Sequence, residues 1–190
     1  MKDEIIGGEI VSDPIREHFA WFAGMRPVSD CFAAGTTEHT ILTRLVEGWG
    51  RDDTATLLRE LSAEFGEAAF AAVEQYLALN LAKDWGEIGQ REAHDGTEID
   101  DFIRLLWDPL PELGFEFTVD RGDDGSAAFR VTRCPIFELA ERLGMHDWLY
   151  RLSCYTDEHS APAFSDWIVF TRTKTLMEGH DHCNHRYRYR

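Results

Sequence analysis

The sequence predicts an α+β fold in one domain: an N-terminal helical part over residues 1–110, then a four-stranded, mainly antiparallel sheet with inserted helices over residues 111–190. Two patterns carry this expectation. Apolar residues recur at threes and fours through the first part, the period of an amphipathic helix. After Phe115 the period drops to two around a Gly-rich turn, the signature of paired strands.

The first helix is expected at Pro14, because proline fits a first helical turn, with Ser12 or Asp13 as its cap and Ile15, Phe19 and Phe22 facing inward. A loop spans Met25–Gly35, and a second helix covers His39–Val46 before Gly48 and Gly50 stop it. The strongest periodicity runs from Asp53 to Leu81 through Leu57, Leu58, Leu61, Phe65, Ala69, Val73, Tyr76 and Leu77. Asp52 or Asp53 caps it, and Gly66 is a point where it can split. A further helix fits Thr97–Trp107, with Thr97 as cap and Pro109 and Pro111 beyond its end.

Phe115, Phe117 and Val119 alternate with polar residues and predict a half-buried strand. RGDDGS turns the chain, and Ala128–Thr132 returns as the second strand of a hairpin. Pro135 starts a helix that ends at Gly144, and another runs from Asp147 toward Glu158. Ile168–Thr173 and Cys183–Tyr189 complete the sheet.

With 190 residues, 44% of them hydrophobic, the chain can bury a real core. Its net charge of -16 argues against nucleic acid and against anionic membrane surfaces, both of which attract cationic proteins. No apolar run approaches the ~20 residues that span a bilayer. MKDEIIGGEIVSD lacks the basic and apolar regions of a secretion signal, so a cytoplasmic location with reduced thiols is expected. The Gly7-Gly8 pair is not part of a phosphate loop, and no GxSxG elbow occurs. The sequence carries no pattern that specifies oligomeric state.

The residue types that carry chemistry gather in the final third. Cys134 precedes a helix whose unpaired N–H groups favour a thiolate; the plainer alternative is a small buried side chain. Cys154 lies late in the expected 147–158 helix, on a face it could share with Asp157 or Glu158. In the last strand, alternation puts Asp181, Cys183, His185 and Tyr187 on one face and His180, His182, Asn184 and Arg186 on the other. An acid, a thiol and a base in one row suit a nucleophile with its base, or a metal site. The spacings match neither a zinc finger nor HExxH.

The order Cys134, Cys154 with Asp157, then RTKTLMEGHDHCNHRY resembles the L-2-amino-thiazoline-4-carboxylic acid hydrolase family. Arg172, Thr175, Leu176, Gly179 and Cys183 carry the most specific element, and the resemblance covers roughly residues 110–190. The CNHR ending departs from the acidic, aromatic-rich ending of that pattern, which bears on substrate identity. The resemblance implies a hydrolase that opens a small cyclic amidine or thiazoline-like substrate to an N-carbamoyl product. Under it, Cys183 or Cys134 is the nucleophile, His185 the base and Asp157 an orienter or proton donor. Cys154 belongs to the same catalytic set, and Arg172 and Thr175 contact substrate. Zinc held by the thiols and a histidine is the alternative way to activate water. The same cysteine order also resembles vinyl-reductase-type small-ligand-binding domains, which would bind without turnover.

Overall fold

A computed structural model describes residues 13–51 and 53–190. The opening stretch with Gly7-Gly8 and Ser12, and Asp52, lie outside the described residues. Helix α1 (Pro14–His18) is capped by Asp13, whose carboxylate accepts the Arg16 N–H at 3.0 Å. The other oxygen of Asp13 accepts the Thr54 N–H at 2.9 Å, so one buried side chain serves the starts of two helices.

Helix α2 (Thr37–Gly48) is capped by Thr36 and α3 (Thr54–Phe65) by Asp53. Gly66 adopts φ 55° and ψ -134°, a backbone state that favours glycine, and divides α3 from α4 (Glu67–Glu92). The single helix expected to end at Leu81 is thus two, and the second continues eleven residues further. Helix α5 (Glu98–Leu106) follows. Thr97 precedes it, but its hydroxyl donates to Asp101 and to the His94 carbonyl and caps no N–H.

Strands β1 (Glu116–Arg121) and β2 (Ala127–Arg133) form the expected hairpin. Then come α6 (Pro135–Leu143), α7 (His146–Leu152), α8 (Asp157–Phe164), β3 (Ile168–Thr171) and β4 (Cys183–Tyr189). The sheet order is β1-β2-β4-β3, antiparallel throughout. As an edge strand β1 reaches past the core, which leaves Val119 45% exposed where a half-buried position was expected.

The helix expected from Asp147 to Glu158 is broken. Its first part stops at Leu152, Cys154–Thr156 make a 3-10 turn, and Asp157 begins a new helix. The Thr156 N–H and hydroxyl both donate to the Ser153 carbonyl, a local arrangement that competes with continued α-helix.

Two apolar cores result. One lies among α1–α4, α6 and α7; the other lies between the inner face of the sheet, α5 and α8. Helix α4 joins them, with Ala69–Leu77 in the first and Trp85 and Ile88 against the second. Helix α8 packs along α4 more extensively than along any other helix. Gly89 permits this approach: a Cβ there would sit 1.9 Å from the Phe164 carbonyl oxygen, whereas one on Gly86 would be in ordinary contact, 3.7 Å from that of Ala163.

Gly89→Ala should therefore cost stability, by about 1–3 kcal/mol for overpacking against backbone that cannot yield. Gly86→Ala should be neutral or gain up to about 1 kcal/mol from helix propensity. Urea unfolding of the two variants checks this; equal stability in both would contradict the packing described.

Candidate functional site

In β4 the side chains of Cys183, His185 and Tyr187 point into the core, while Arg186 and Arg188 face solvent, as alternation requires. The strand begins only at Cys183, so the alternation does not extend backward. Asp181 is outside the row: its side chain is 70% exposed and pairs with Arg130 at 3.0 Å and with His182 at 2.7 Å. His182 is buried, against the expected facing.

The acid beside His185 is Asp157, the first residue of α8 and the one the resemblance assigns as orienter or proton donor. Its Oδ2 accepts from His185 Nε2 at 3.1 Å and from Arg172 Nη1 at 2.5 Å. Position in the first helical turn favours a carboxylate there. Arg172 leaves the end of β3 with its side chain only 3% exposed. Its Nη1 also donates to the Cys154 carbonyl at 3.0 Å, and Nη2 to the Tyr150 hydroxyl at 3.4 Å. Burial works against the charge of Arg172, but Asp157, Cys154 and Tyr150 together hold its pKa above the ordinary guanidinium range. The His185 ring lies against Trp107 and Phe170, at centroid distances of 5.0 and 5.8 Å. Since the Asp157 carboxylate accepts at Nε2, a singly protonated ring carries its hydrogen there and has its lone pair at Nδ1; Nδ1 is buried and has no hydrogen-bond partner among the described residues.

Three thiols surround this chain of polar groups. Cys134 occupies the N-cap position of α6 at the end of β2. The N–H groups of Phe137 and Ile136 do pull its pKa down, but burial outweighs them and pushes it up to about 11. Of the two readings open for Cys134, the buried thiol is the one the packing of the helix start favours. Cys154 sits on the 3-10 turn, not on a helical face shared with Asp157; burial, then Asp157, push it well above the ordinary thiol range against the pull of Arg172. Burial also raises Cys183, opposed by the Leu176 N–H, 3.3 Å from Sγ, and by Arg172. Each thiol lies in the electrostatic field of Asp157, and Cys134 and Cys154 also feel Cys183.

The structure thus brings together Cys134, Cys154, Asp157, Arg172, Cys183 and His185. The buried hydroxyl of Thr175 accepts the Glu178 N–H and donates to the Glu178 carboxylate, closing the turn over Leu176–Glu178. Tyr150 and Trp107 adjoin the site without any sequence motif to mark them. Among the described residues, no three His, Cys, Asp or Glu side chains are grouped to hold a metal ion. The buried cation among the thiols is Arg172. Thiols and imidazole are ligands zinc takes, but their grouping around Arg172 does not fit the ion. Two surface cavities, of about 400 Å³ between α2 and α3 and about 530 Å³ beside Trp167 and Tyr189, include none of the six residues. Among the described residues, no helix is long and apolar enough to cross a membrane.

A family model described as L-2-amino-thiazoline-4-carboxylic acid hydrolase matches residues 53–187. The match takes in α3, α4 and α5 as well as the segment whose motif residues carry the resemblance. No curated protein matches the chain.

Two outcomes follow from the electrostatics. Arg172→Met leaves Asp157 without its cation and should destabilise the protein by about 3 kcal/mol in urea unfolding. The Cys134 thiol has a folded pKa above its unfolded one, so its contribution to stability is complete below about pH 9 and is lost as the pH rises toward 11. Cys134→Ala should flatten the alkaline limb of the stability–pH curve over that window; an unchanged limb would show the thiol to be freely solvated.

Proposed function

Because the chain belongs to the L-2-amino-thiazoline-4-carboxylic acid hydrolase family, we propose that it hydrolyses a small cyclic amidine or thiazoline-like molecule. The product is an N-carbamoyl compound bearing the freed thiol. The observation that carries this reading is the Arg172–Asp157–His185 chain, with Cys183 on the same strand face as His185 and with Cys134 and Cys154 in the field of Asp157.

The chemistry needs a nucleophile at C2, the carbon between ring nitrogen and ring sulfur, and a group that takes and returns protons. Cys183 shares the inner face of β4 with His185 and supplies the sulfur. Its thiol is protonated, so attack is base-assisted: the Cys183 sulfur bonds to C2 as His185 Nδ1 receives the proton, directly or through one water. The C2–S ring bond then breaks, and the departing sulfur takes the proton back from His185. An isothiouronium-type adduct remains on Cys183. Water adds to the same carbon with His185 again accepting a proton, the bond to Cys183 breaks, and its thiol is reprotonated. One water is consumed and one ring opened. Asp157 holds the Nε2–H of His185 throughout, and Arg172 keeps Asp157 in place.

The upward push on all three thiols also favours a second reading, a vinyl-reductase-type domain that binds such a molecule without turning it over.

Incubation with L-2-amino-thiazoline-4-carboxylate, read by mass spectrometry, separates the two. The expected result is an N-carbamoyl product and a trappable adduct on Cys183. Loss of the base in His185→Gln should lower kcat by on the order of 10²–10⁴, and Cys183→Ala should abolish both product and adduct. Full turnover by Cys183→Ala would remove the thiol route. Thermal stabilisation by the compound with no product would establish the binding reading.

A further inference from the structure

Between β3 and β4 the chain runs from Arg172 to His182 and carries two groups that act on the site. One is the Arg172 guanidinium on Asp157; the other is the Leu176 N–H that donates to Cys183 Sγ. Neither belongs to a strand, since β3 ends at Thr171. Sheet hydrogen bonding therefore does not fix them. What holds this stretch is the side chain of Asn184, on the outer face of β4 one residue after Cys183.

Its Oδ1 accepts the Thr173 N–H at 2.9 Å and the Lys174 N–H at 2.7 Å. Its Nδ2 donates to Thr173 Oγ1 at 2.9 Å, and its own N–H donates to the Lys174 carbonyl at 3.2 Å. Four hydrogen bonds thus tie residues 173 and 174 to a strand position between Cys183 and His185. Thr175 then closes the turn that presents Leu176.

We propose, on the basis of the hydrolase reading above, that Asn184 is a positioning residue: it clamps the Arg172–Leu176 segment so that Arg172 meets Asp157 and the Leu176 N–H meets Cys183. The two groups that work against burial at Cys183 are the Leu176 N–H and Arg172, and both ride on the clamped segment. Asn184 touches neither the reacting atoms nor the substrate in this account; it acts through its neighbours. A carboxylate at the same position would keep the acceptor for both amides, and the Thr173 hydroxyl can turn to donate to it. An alanine keeps only the main-chain bond.

The test is the pH profile of Cys183 alkylation by iodoacetamide, mapped by peptide mass spectrometry in the full chain, which requires no substrate. Asn184→Ala should move the Cys183 midpoint upward and slow alkylation at pH 8 by about threefold or more. Asn184→Asp should stay within about twofold of the parent. A simple packing role would not produce this split. An unchanged or lowered midpoint in Asn184→Ala, or equal impairment in Asn184→Asp, overturns the proposal. Hydrogen exchange in the unsubstituted protein decides the matter even where Asn184→Ala fails to fold: the Thr173 and Lys174 amides should exchange as slowly as those of β4, and fast exchange defeats the clamp. If thiazoline is turned over, Asn184→Ala should lose kcat with KM little changed. If it is not turned over while the alkylation midpoint moves, the clamp stands and the hydrolase reading falls.

Discussion

The Asp157 carboxylate, shared by Arg172 and His185, is the interaction around which the second half of the molecule is arranged. Its three members come from the start of α8, the exit of β3 and the inner face of β4. A guanidinium taken out of water is costly unless its charge and its N–H groups are all met. Here the carboxylate meets the charge, and the Cys154 carbonyl and Tyr150 hydroxyl take further N–H groups. The break at Ser153 sets the geometry for this. In the 3-10 turn the Cys154 carbonyl accepts the Asp157 N–H and, with its second lone pair, Arg172 Nη1, and the chain restarts with Asp157 in a first helical turn.

The position of α8 rests in turn on α4. The two helices approach where Gly86 and Gly89 carry no side chain, and Phe164 at the end of α8 reaches Trp85 and Phe102 in the second core. Helix α4 is anchored at its other end among Leu58, Leu61 and Trp148 of the first core. The helical half of the protein is thus the support on which Asp157 is placed. That agrees with a family match that begins at Asp53 and is not confined to the cysteine-bearing segment.

What the sequence shows of this fold depends on the range of the interaction that decides each element. The helix from Pro135 to Gly144 and the strand from Cys183 to Tyr189 are legible, because proline, glycine and side-chain alternation act locally. The Ser153 break escapes notice, since a threonine three residues after a serine is an ordinary helical spacing. The row Asp181, Cys183, His185 fails for a related reason. Alternation would carry Asp181 inward, but β4 begins at Cys183, where the sequence puts it, and the row does not run back past that residue. Asp157, which only the family resemblance singles out as the acid, is 28 residues from His185 in sequence and adjacent only once α8 is docked. Cys134 shows the same limit in electrostatics. A helix start lowers a thiol pKa when it is open to water, and whether this one is open depends on the packing around it.

The protonated thiols constrain how any chemistry can proceed. The net charge of -16 is carried overwhelmingly by exposed side chains, while the site holds one guanidinium, one carboxylate and neutral sulfur. A standing thiolate would add an uncompensated negative charge next to Asp157, in surroundings that already push every one of the three thiols upward. A thiol there can act as a nucleophile only if its proton leaves as the new bond forms, so an acceptor must be in place beforehand. His185 has its Nε2 committed to Asp157 and its Nδ1 buried without a partner. That nitrogen is the free hydrogen-bonding position on the inner face of β4 that Cys183 shares, and it is there that such an acceptor would have to act.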